Sequence, residues 1–390
     1  MTDAAFKTEE FTMIYLDNAA TTRVSEAAAR EAVRVMRDVY GNPSSVHDFG
    51  YESAKALKSA RKAVLSALGS TDRADELYFT SGGTESNNLA IFGSLKTHRH
   101  GGKTVFFSDS EHASNYRIAQ TLAENGYNVR FIPTRGGKLD LDFCRENFSK
   151  DTVLISCMCA NNETGALYDI AALNELRNER CPAAILHTDG VQAFCKTDFS
   201  LCTTGADLIS VSGHKIHAPK GVGALYVKKG VRLAGILCGG GQEKDIRPGT
   251  EALPSICAMA VAAEEINCAE NRAHVARLAQ YLSERIAAEL PEVTENRPAA
   301  ALPHVVSLTL PSVKSEVMLR YLSAKEIYVS AGSACSSKHR ENRVLSAFGL
   351  DPKSADCTIR VSFCETNTTE EIDTFVGALR DGIRSLASLR

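Results

Sequence analysis

Long apolar runs are absent from this chain of 390 residues, although 44% of its residues are hydrophobic. A helix that crosses a bilayer needs about 20 consecutive apolar residues, and the sequence contains no such stretch. Residues 1–10 are polar and acidic, and they lack the basic and apolar regions of a secretory signal peptide. We therefore expect a protein that does not span a membrane and that resides in the cytoplasm.

An excess of positive charge is also absent. The 44 Lys and Arg residues face 47 Asp and Glu residues, so the formal net charge is −3 at pH 7. Proteins that bind nucleic acid through its phosphates carry a marked basic excess or basic patches. We therefore expect no nucleic-acid partner.

The cysteines lack the spacing of a structural metal site. The twelve cysteines are scattered, no Cys-x-x-Cys occurs, and the shortest spacing is between Cys157 and Cys159 in an apolar run. Structural zinc sites typically use paired cysteines at such spacings. We expect no metal, and we expect most thiols to be small buried side chains in a reducing compartment.

Two common phosphate-binding loops are missing as well. No Gly-x-Gly-x-x-Gly follows a predicted strand. The sequence Gly101-Gly102-Lys103-Thr104 resembles the end of a Walker A loop, but position 97 is threonine and the segment precedes a predicted strand. A phosphate-bearing ligand therefore requires another kind of loop.

Strand-like and helix-like segments alternate over the first 260 residues. Apolar residues at helical spacing predict helices, and short apolar runs predict buried strands. The predicted strands are residues 76–80, 104–107, 129–132, 151–160, 183–189, 207–212 and 223–227, and the predicted helices include 50–68, 84–95 and 113–123. Such alternation is typical of an α/β domain with a mostly parallel sheet.

The character of the sequence changes in its last third. Residues 252–290 are rich in Ala, Leu and Glu and predict helix, whereas 305–310 and 358–363 predict short strands. This mixture predicts a second, smaller α+β domain. We predict a large domain at residues 23–262 and a small domain formed by residues 1–22 and 263–390.

Lys215 is the strongest single candidate for a functional residue. It follows the strand-like run 207–212 closely, and Ser212 and His214 stand beside it. An amine held at a strand end, partly shielded from water and close to phosphate-binding donors, suits a lysine that forms a Schiff base. The alternative is an ordinary surface lysine in a loop rich in glycine and proline.

Two other segments follow predicted strands and carry polar groups. Asp189 ends the run 183–189, where a carboxylate can keep a pyridinium nitrogen protonated at the ligand-binding edge of a parallel sheet. Residues 80–88 supply two glycines for a tight turn, with Thr84 where an N-cap residue is expected, and free N–H groups at a helix start bind anions. An N-cap aspartate and an ordinary capped turn are the alternatives.

These motifs, in their order along the chain, resemble those of pyridoxal-phosphate enzymes of fold type I, in particular the class V aminotransferase group. Within that group the sequence resembles the cysteine desulfurases of nitrogen-fixation and iron–sulfur assembly systems. The matching segments are residues 15–22, 80–88, 110–112, 161–165, 239–243, 247–250 and 332–337. The resemblance implies an α/β large domain with a mostly parallel seven-stranded sheet between helices, plus a smaller α+β domain.

The resemblance also implies a role for each matching residue toward pyridoxal 5'-phosphate. Lys215 is expected to bind the cofactor aldehyde and to move the Cα proton, Asp189 to pair with the pyridine nitrogen, and His112 to stack on the ring and exchange a proton with the substrate thiol. The expected phosphate donors are Gly83, Thr84, Ser212, His214 and the partner subunit's Thr250, and Gln192 is expected to bind the ring oxygen. The expected substrate-binding residues are Asn162 and Arg360, with Arg360 as the carboxylate clamp.

Each of these assignments has an ordinary alternative. Arg360 stands in an alternating run and suits the solvent face of a strand. His112 suits a position beside a helix start, and Asn162 suits a turn.

Cys335 determines which reaction the sequence predicts. It lies in the small, polar segment 332–337, whereas most other cysteines stand in apolar surroundings. An exposed thiol on a mobile loop acts as a nucleophile once it is ionised, and a loop cysteine without function is the alternative. The resemblance implies that a loop at about 328–343, of the longer type in this family, carries Cys335 as the residue that forms a persulfide.

We therefore predict a cysteine desulfurase that converts L-cysteine to L-alanine. Its sulfur is expected to pass from Cys335 to an acceptor protein, either an iron–sulfur scaffold or a tRNA-thiolation protein. We expect a homodimer with a shared cofactor site. The alternative enzymes are a selenocysteine lyase, a cysteine sulfinate desulfinase and a class V aminotransferase, and the non-enzyme alternative is a sulfur-carrier platform.

Three segments depart from the usual pattern of the family. His217-Ala218 replaces a common aromatic-Gly pair, Cys364-Glu365-Thr366 stands where a glycine is frequent, and Gly190-Val191 differs from the common Ala-Thr. None is a predicted catalytic position. The departures leave loop packing and the choice of partner open.

Overall fold

A seven-stranded sheet lies at the centre of the protein. The structure is a computed structural model that describes residues 13–73, 75–98, 101–197, 200–266, 269–311, 313–331 and 342–387. The strands are β1 (Ile14–Tyr15), β2 (Glu76–Thr80), β3 (Thr104–Ser108), β4 (Asn128–Ile132), β5 (Thr152–Ser156), β6 (Ile185–Asp189), β7 (Leu208–Ser212), β8 (Gly223–Val227), β9 (Thr294–Glu295), β10 (Val305–Thr309), β11 (Ile327–Tyr328) and β12 (Thr358–Ser362). The α-helices are α1 (Glu26–Asp38), α2 (Asp48–Ala67), α3 (Gly83–Thr97), α4 (Ala113–Glu124), α5 (Leu141–Asn147), α6 (Ile170–Arg180), α7 (Leu253–Ile266), α8 (Ala269–Glu289), α9 (Ser315–Ser323), α10 (Arg343–Phe348), α11 (Pro352–Asp356) and α12 (Thr369–Ala387).

The strand order of the central sheet is β2-β8-β7-β6-β5-β3-β4. Strand β8 runs antiparallel to both of its neighbours, and the remaining neighbours pair in parallel. The prediction of a mostly parallel seven-stranded sheet is confirmed. Because β6 and β7 are adjacent and parallel, the polar residues at their carboxyl ends meet at one edge of the sheet.

Helices cover both faces of this sheet. Successive residues of a strand point to opposite faces, and β3 shows the consequence. Phe106 packs into a core that includes α1, α2 and α7, whereas Val105 and Phe107 pack against α4. Every residue of β3, β5, β7 and β8 is buried, which is why these strands read as continuous runs with little alternation.

A second hydrophobic core lies outside the large sheet. It joins Leu16 to apolar residues of α8, α9 and α12 and of strands β10 and β12. Strands β12, β10 and β9 form an antiparallel sheet, and β1 pairs in parallel with β11. The N-terminal strand therefore packs with the C-terminal third of the chain, and the boundaries drawn at residues 22 and 262 stay a prediction.

Two local predictions were wrong. The run 151–160 forms a strand only as far as Ser156, and its buried remainder is irregular chain. Thr84 is not an N-cap, because helix α3 begins one residue earlier with Gly82 at the cap position. Gly82 has φ 150°, a conformation open to glycine, and a Cβ at Gly223 would lie 2.6 Å from its Cα.

Membrane-spanning helices and disulfides are both missing from the described ranges. No helix there is long and apolar enough to cross a bilayer. The ten cysteines in this part of the chain are free thiols, and eight of them are buried. Burial raises the pKa of the thiols of Cys144 and Cys159 to about 12, so both stay protonated at neutral pH and pack as small hydrophobic side chains.

Candidate active site

Lys215 follows the carboxyl end of β7 and points at the N-terminal segment of the chain. Its Nζ donates to the backbone carbonyl oxygens of Ala19 at 2.6 Å and Ala20 at 2.8 Å. Burial, together with the positive charges of Lys196 and Arg360, lowers the pKa of Lys215 to about 7. A large fraction of the amine is therefore unprotonated near neutral pH, and the unprotonated form attacks carbonyl groups.

Asp189 ends the neighbouring strand β6 and is buried. Asn87 of α3 donates from Nδ2 to Asp189 Oδ2 at 2.8 Å, and the backbone N–H of Val191 donates to Oδ1 at 3.0 Å. These bonds fix the orientation of the carboxylate. A fixed, buried carboxylate is suited to pair with a protonated ring nitrogen.

Two buried polar side chains beside Lys215 have atoms without a partner. Gln192 donates from Nε2 to the carbonyl of Ala19 at 2.9 Å, but its Oε1 accepts no hydrogen bond in the described part of the chain. The hydroxyl of Ser212 has no partner there either. A buried polar group left unpaired costs about 1–3 kcal/mol, so these orphaned atoms indicate that a polar ligand belongs at this edge.

The N-terminus of α3 lies beside Ser212. Among the described residues, the backbone N–H groups of Gly83 and Thr84 have no hydrogen-bond acceptor. A Cβ at Gly82 would lie 3.7 Å from Ser212 Oγ, and one at Gly83 would lie 2.7 Å from a methyl group of Val191. Free N–H groups, the positive end of the helix dipole and a hydroxyl together form a site for an anion such as phosphate.

Two histidines border this edge. His112 is exposed and caps α4, where its Nδ1 accepts from the N–H of Ser114 at 3.2 Å. Although part of the residue is open to solvent, partial burial of the ring and the charge of Lys215 lower the pKa of His112, and the charge of Asp189 opposes this shift. Burial and the same lysine lower the pKa of His214 to about 4. Both imidazoles are therefore neutral at pH 7.

Arg360 reaches the site from β12 in the second core and is buried. Its Nη1 donates to the backbone carbonyl of Asn162 at 2.8 Å, and its Nη2 donates to Asp17 Oδ1 at 2.7 Å. The Nε of Arg360 is buried without a partner among the described residues. Two of the five N–H groups of the guanidinium are thus engaged, so donors remain for a substrate carboxylate, which would share this group with Asp17.

Cys335 lies outside the described residues, as does all of 332–341. Both flanks of that segment border the site. The backbones of Ser330 and Arg360 exchange hydrogen bonds of 3.1 and 2.6 Å, and Arg343 donates to the backbone carbonyls of Asp109 and Glu111.

Thr250 is exposed in the loop before α7. Its neighbour Arg247 binds Glu85 in the first turn of α3, with Nε 2.8 Å from Oε1, so the loop runs beside the anion site. The role predicted for Thr250 in a partner's site stays a prediction, as do the individual roles of the other site residues.

Sequence reasoning missed several residues that the fold brings to this edge. They are Asp17, Asn87, Glu111 and Lys196. Three of them stand inside or beside motifs that were recognised. A signal was available only for Asn87, which lies one helical turn after Gly83 and therefore shares its face of α3.

Known proteins match the chain over nearly its whole length. The sequence profile of the family described as Aminotransferase class-V matches residues 14–375. A cysteine desulfurase of Trichormus azollae is 36% identical over 387 residues, which covers 97% of this chain and 94% of that protein. Among solved structures, a NifS-like protein superposes with a TM-score of 0.87 at 32% identity, covering 95% of this chain and 98% of its own.

A second solved structure, of SspA in complex with cysteine, superposes with a TM-score of 0.77 at 29% identity and covers 91% of this chain and 100% of its own. The chain therefore belongs to the class V aminotransferase family. Its relatives within that family include cysteine desulfurases and NifS-like proteins. The recognition made from the motifs and the predicted fold type I are thereby confirmed.

Proposed function

We propose that the protein is a pyridoxal-phosphate-dependent cysteine desulfurase, which converts L-cysteine to L-alanine and transfers the sulfur to Cys335 as a persulfide. The observation that carries the proposal is the meeting of Lys215, Asp189 and the free start of α3 at one edge of the sheet. The amine, the carboxylate and the anion site there match the three chemical parts of the cofactor. The names of the relatives support the choice of reaction.

The donor set fits pyridoxal 5'-phosphate part by part. The N–H groups of Gly83 and Thr84 and the unpaired hydroxyl of Ser212 would hold the phosphate. Asp189 would hold a proton on the ring nitrogen, and Gln192 has an N–H to spare for the ring oxygen. Bound there, the cofactor supplies an aldehyde that captures amines and a ring that accepts electrons from the substrate Cα.

The remaining residues position L-cysteine and move its protons. Arg360 binds the substrate carboxylate through its fork of N–H groups. Lys215 Nζ transfers the Cα proton, and its pKa of about 7 suits a group that both takes and gives a proton near neutral pH. His112, held at Nδ1 by Ser114, presents Nε2 to the substrate thiol and exchanges its proton.

Cys335 receives the sulfur. Its thiolate attacks the substrate sulfur, so that an S–S bond forms while the Cβ–S bond of the substrate breaks. The electron pair of the broken bond stays on carbon, which takes up a proton and becomes the methyl group of alanine. An acceptor thiol then takes the outer sulfur, and we propose an iron–sulfur scaffold or a tRNA-thiolation protein in the cytoplasm as its carrier.

A homodimer is part of the proposal. Helices α1 and α2 and the loop between them expose an apolar group that consists of Val33, Met36, Tyr40, Val46, Phe49 and Tyr51. The rings of Tyr40 and Phe49 pack edge to face with centroids 4.8 Å apart, so these two exposed rings adjoin each other. Contiguous exposed apolar surface is typical of protein interfaces, and a second copy of the chain is its proposed occupant.

The proposal is tested by incubating the purified protein with L-cysteine and a reductant. Alanine and sulfide are expected in equal amounts. Cys335→Ala is expected to lose both products while it keeps the visible absorbance of the bound cofactor. Cys238→Ala, which removes an exposed thiol that is not among the predicted site residues, is the matched control and is expected to keep full activity.

Four results would contradict the proposal. Full sulfide release by Cys335→Ala would exclude the persulfide route. Activity with amino donors and 2-oxo acids alone would favour an aminotransferase, and a strong preference for selenocysteine would favour a lyase. If the protein showed no visible absorbance after addition of pyridoxal 5'-phosphate, the result would favour the non-enzyme alternative, a sulfur-carrier platform.

A further inference from the structure

Three potential metal ligands, two of them buried, lie together where the loop that follows Lys215 meets the chain after β12. They are His217, Cys364 and Glu365, and their ligand atoms all lie within 4.8 Å of one another. His217 is 7% exposed and Cys364 is 6% exposed. Both stand at positions where the sequence departs from its family, so two departures that are remote in sequence meet in the fold.

The hydrogen bonding of His217 leaves one ring nitrogen open. Nδ1 lies 2.8 Å from the backbone oxygen of Arg23, and since a carbonyl only accepts, Nδ1 carries the proton. The neutral ring therefore has a lone pair on Nε2. Nε2 faces Glu365 Oε1 at 3.3 Å, which is an ion pair when the ring is protonated. With the ring neutral, Nε2 accepts no hydrogen bond from the described residues. A buried lone pair that faces a carboxylate needs a proton or a cation between them.

The charges of the cluster suit a divalent cation. A Cys364 thiolate and the Glu365 carboxylate together carry two negative charges, which a neutral imidazole leaves unchanged. A mixed set of thiolate, imidazole and carboxylate is typical of Zn²⁺. The hydroxyl of Thr366 lies 3.2 Å from Cys364 Sγ, where it can donate to the thiolate as a supporting contact.

Lys196 acts against the metal. It is buried, and both Cys364 and Glu365 act on it electrostatically. Without zinc, its ammonium group partly balances the carboxylate. Zinc brings two positive charges and direct bonds to the same acidic groups, so it competes with Lys196 for them.

We propose that His217, Cys364 and Glu365 bind a Zn²⁺ ion, with water as the fourth ligand. On binding, the S–H bond of Cys364 breaks, its proton passes to solvent and a Zn–S bond forms, without any change of oxidation state. The Glu365 side chain is 24% exposed, which leaves water a path to the ion. The ion would tie the chain after β12, which carries Arg360, to the loop that follows Lys215.

The test measures zinc retained by the purified protein with its cofactor bound. A Cys335→Ser background removes the loop thiol as a competing ligand. After equilibrium dialysis against buffered Zn²⁺, the zinc content of the protein is measured by elemental mass spectrometry. We expect one zinc ion per chain. Cys364→Ser and His217→Gln are expected to weaken binding at least about 100-fold, more than loss of a supporting contact. Cys144→Ser, at a buried thiol in another core, is expected to retain the zinc.

Glu365→Gln keeps the size of the side chain and protects the test against variants that fail to fold. It is also expected to weaken zinc binding, with unchanged circular dichroism. X-ray absorption at the zinc edge is expected to show one sulfur at about 2.3 Å and light atoms at about 2.0–2.2 Å.

Any of three results would overturn the proposal. They are failure of the protein to retain zinc, zinc affinity in the ligand variants equal to that of the Cys335→Ser background, and bound zinc without a sulfur neighbour. His217 and Glu365 would then form an ion pair through a shared proton. None of these results depends on desulfurase activity, so the zinc site and the proposed function fail or stand separately.

Discussion

Arg360 is the residue whose predicted role has the most direct kinetic signature. Arg360→Lys keeps a positive charge but replaces a planar fork by a single ammonium group. A charge-assisted hydrogen bond contributes about 1.5–3 kcal/mol, so we expect KM for L-cysteine to rise about 10- to 100-fold with a smaller change in kcat. Steady-state assays of alanine formation measure both parameters.

The control for this variant is Asp17→Asn. It leaves the guanidinium in place and removes the charge that competes with a substrate carboxylate. We expect no increase in KM. An unchanged KM in Arg360→Lys would contradict the carboxylate clamp.

Glu111 is a buried carboxyl group beside the catalytic edge. It accepts hydrogen bonds from Ser108, Asn115 and the N–H of Met158. Burial outweighs these bonds and raises the pKa of Glu111 from 4.5 to about 7. The folded state therefore holds this proton more tightly than the unfolded chain, and the contribution of Glu111 to stability is fully present below about pH 4.5 and lost as the pH rises through 7.

Glu111→Gln removes this titration. The introduced amide can donate to Asn115 Oδ1, which has no partner among the described residues, once the Asn115 amide rotates. As the pH rises from 4.5 to 8, we expect the unfolding free energy of the parent to fall by roughly 3 kcal/mol relative to that of the variant. Urea unfolding across this range tests it, and parallel pH profiles of the two proteins would show that Glu111 does not titrate there.

Single residues were predictable where the strand pattern places them. Lys215 and Asp189 end apolar runs, and the ends of neighbouring parallel strands meet. Asp17 was not predictable as a partner of Arg360, since nothing local links two residues that stand at opposite ends of the chain. The cluster of His217, Cys364 and Glu365 was also missed, because its members are remote in sequence and no short cysteine spacing indicates a metal site there.

The start of α3 is the element on which the phosphate site depends. Gly83→Ala would place a Cβ 2.7 Å from a methyl group of Val191, and overpacking of this kind costs about 1–3 kcal/mol. We expect weaker binding of pyridoxal 5'-phosphate, by about tenfold or more, measured by titration of the apoprotein. Gly377→Ala in α12 is the control, because its Cβ would meet no atom within 4 Å. Equal affinities would place the phosphate elsewhere.

Elements were predicted well where burial is continuous and less well where the chain turns. The composition of β8 predicted a strand but left its direction open. The connection from β7 spans only residues 213–222, which is shorter than a parallel crossover requires. The antiparallel direction of β8 could therefore have been predicted from the sequence. The end of β5 could not be predicted in this way, because Cys157 and Ala160 are as buried as the strand itself and continue its apolar pattern.

The dimer is tested at the scale of the whole molecule by mixing two inactive variants. Lys215→Ala removes the catalytic amine, and Thr250→Asp places a negative charge where the phosphate of the partner's site is predicted. If Thr250 serves the other subunit, each mixed dimer contains one site with neither change. We expect a co-expressed mixture to regain about a quarter of the parent activity by random pairing.

Each variant alone is expected to stay inactive. Size-exclusion chromatography with light scattering measures the dimers in all three preparations. If both single variants are inactive, absence of recovery in proven mixed dimers would mean that Thr250 acts in its own subunit. Activity of Thr250→Asp alone would mean that Thr250 acts in neither site.

At this scale the sequence predicted two kinds of architecture but not how they join. The alternation of strands and helices identified the α/β part, and the change of composition identified the rest. The junction depends on contacts of the segment 17–22 with Arg360, Lys215 and Gln192. Such contacts arise from tertiary packing, and local periodicity carries no information about them.

The segment 17–22 is mostly irregular, but its backbone hydrogen bonds should slow the exchange of its amide protons with solvent. The N–H of Asn18 donates to the carbonyl of Ser362, and the N–H of Thr22 donates to the carbonyl of His214. Just beyond the segment, the N–H of Ser25 donates to the carbonyl of His217. Deuterium should therefore enter these positions as slowly as it enters a core strand. Rapid labelling would mean that the stretch loosens on its own, and opening events there would expose Lys215 to solvent before either core unfolds.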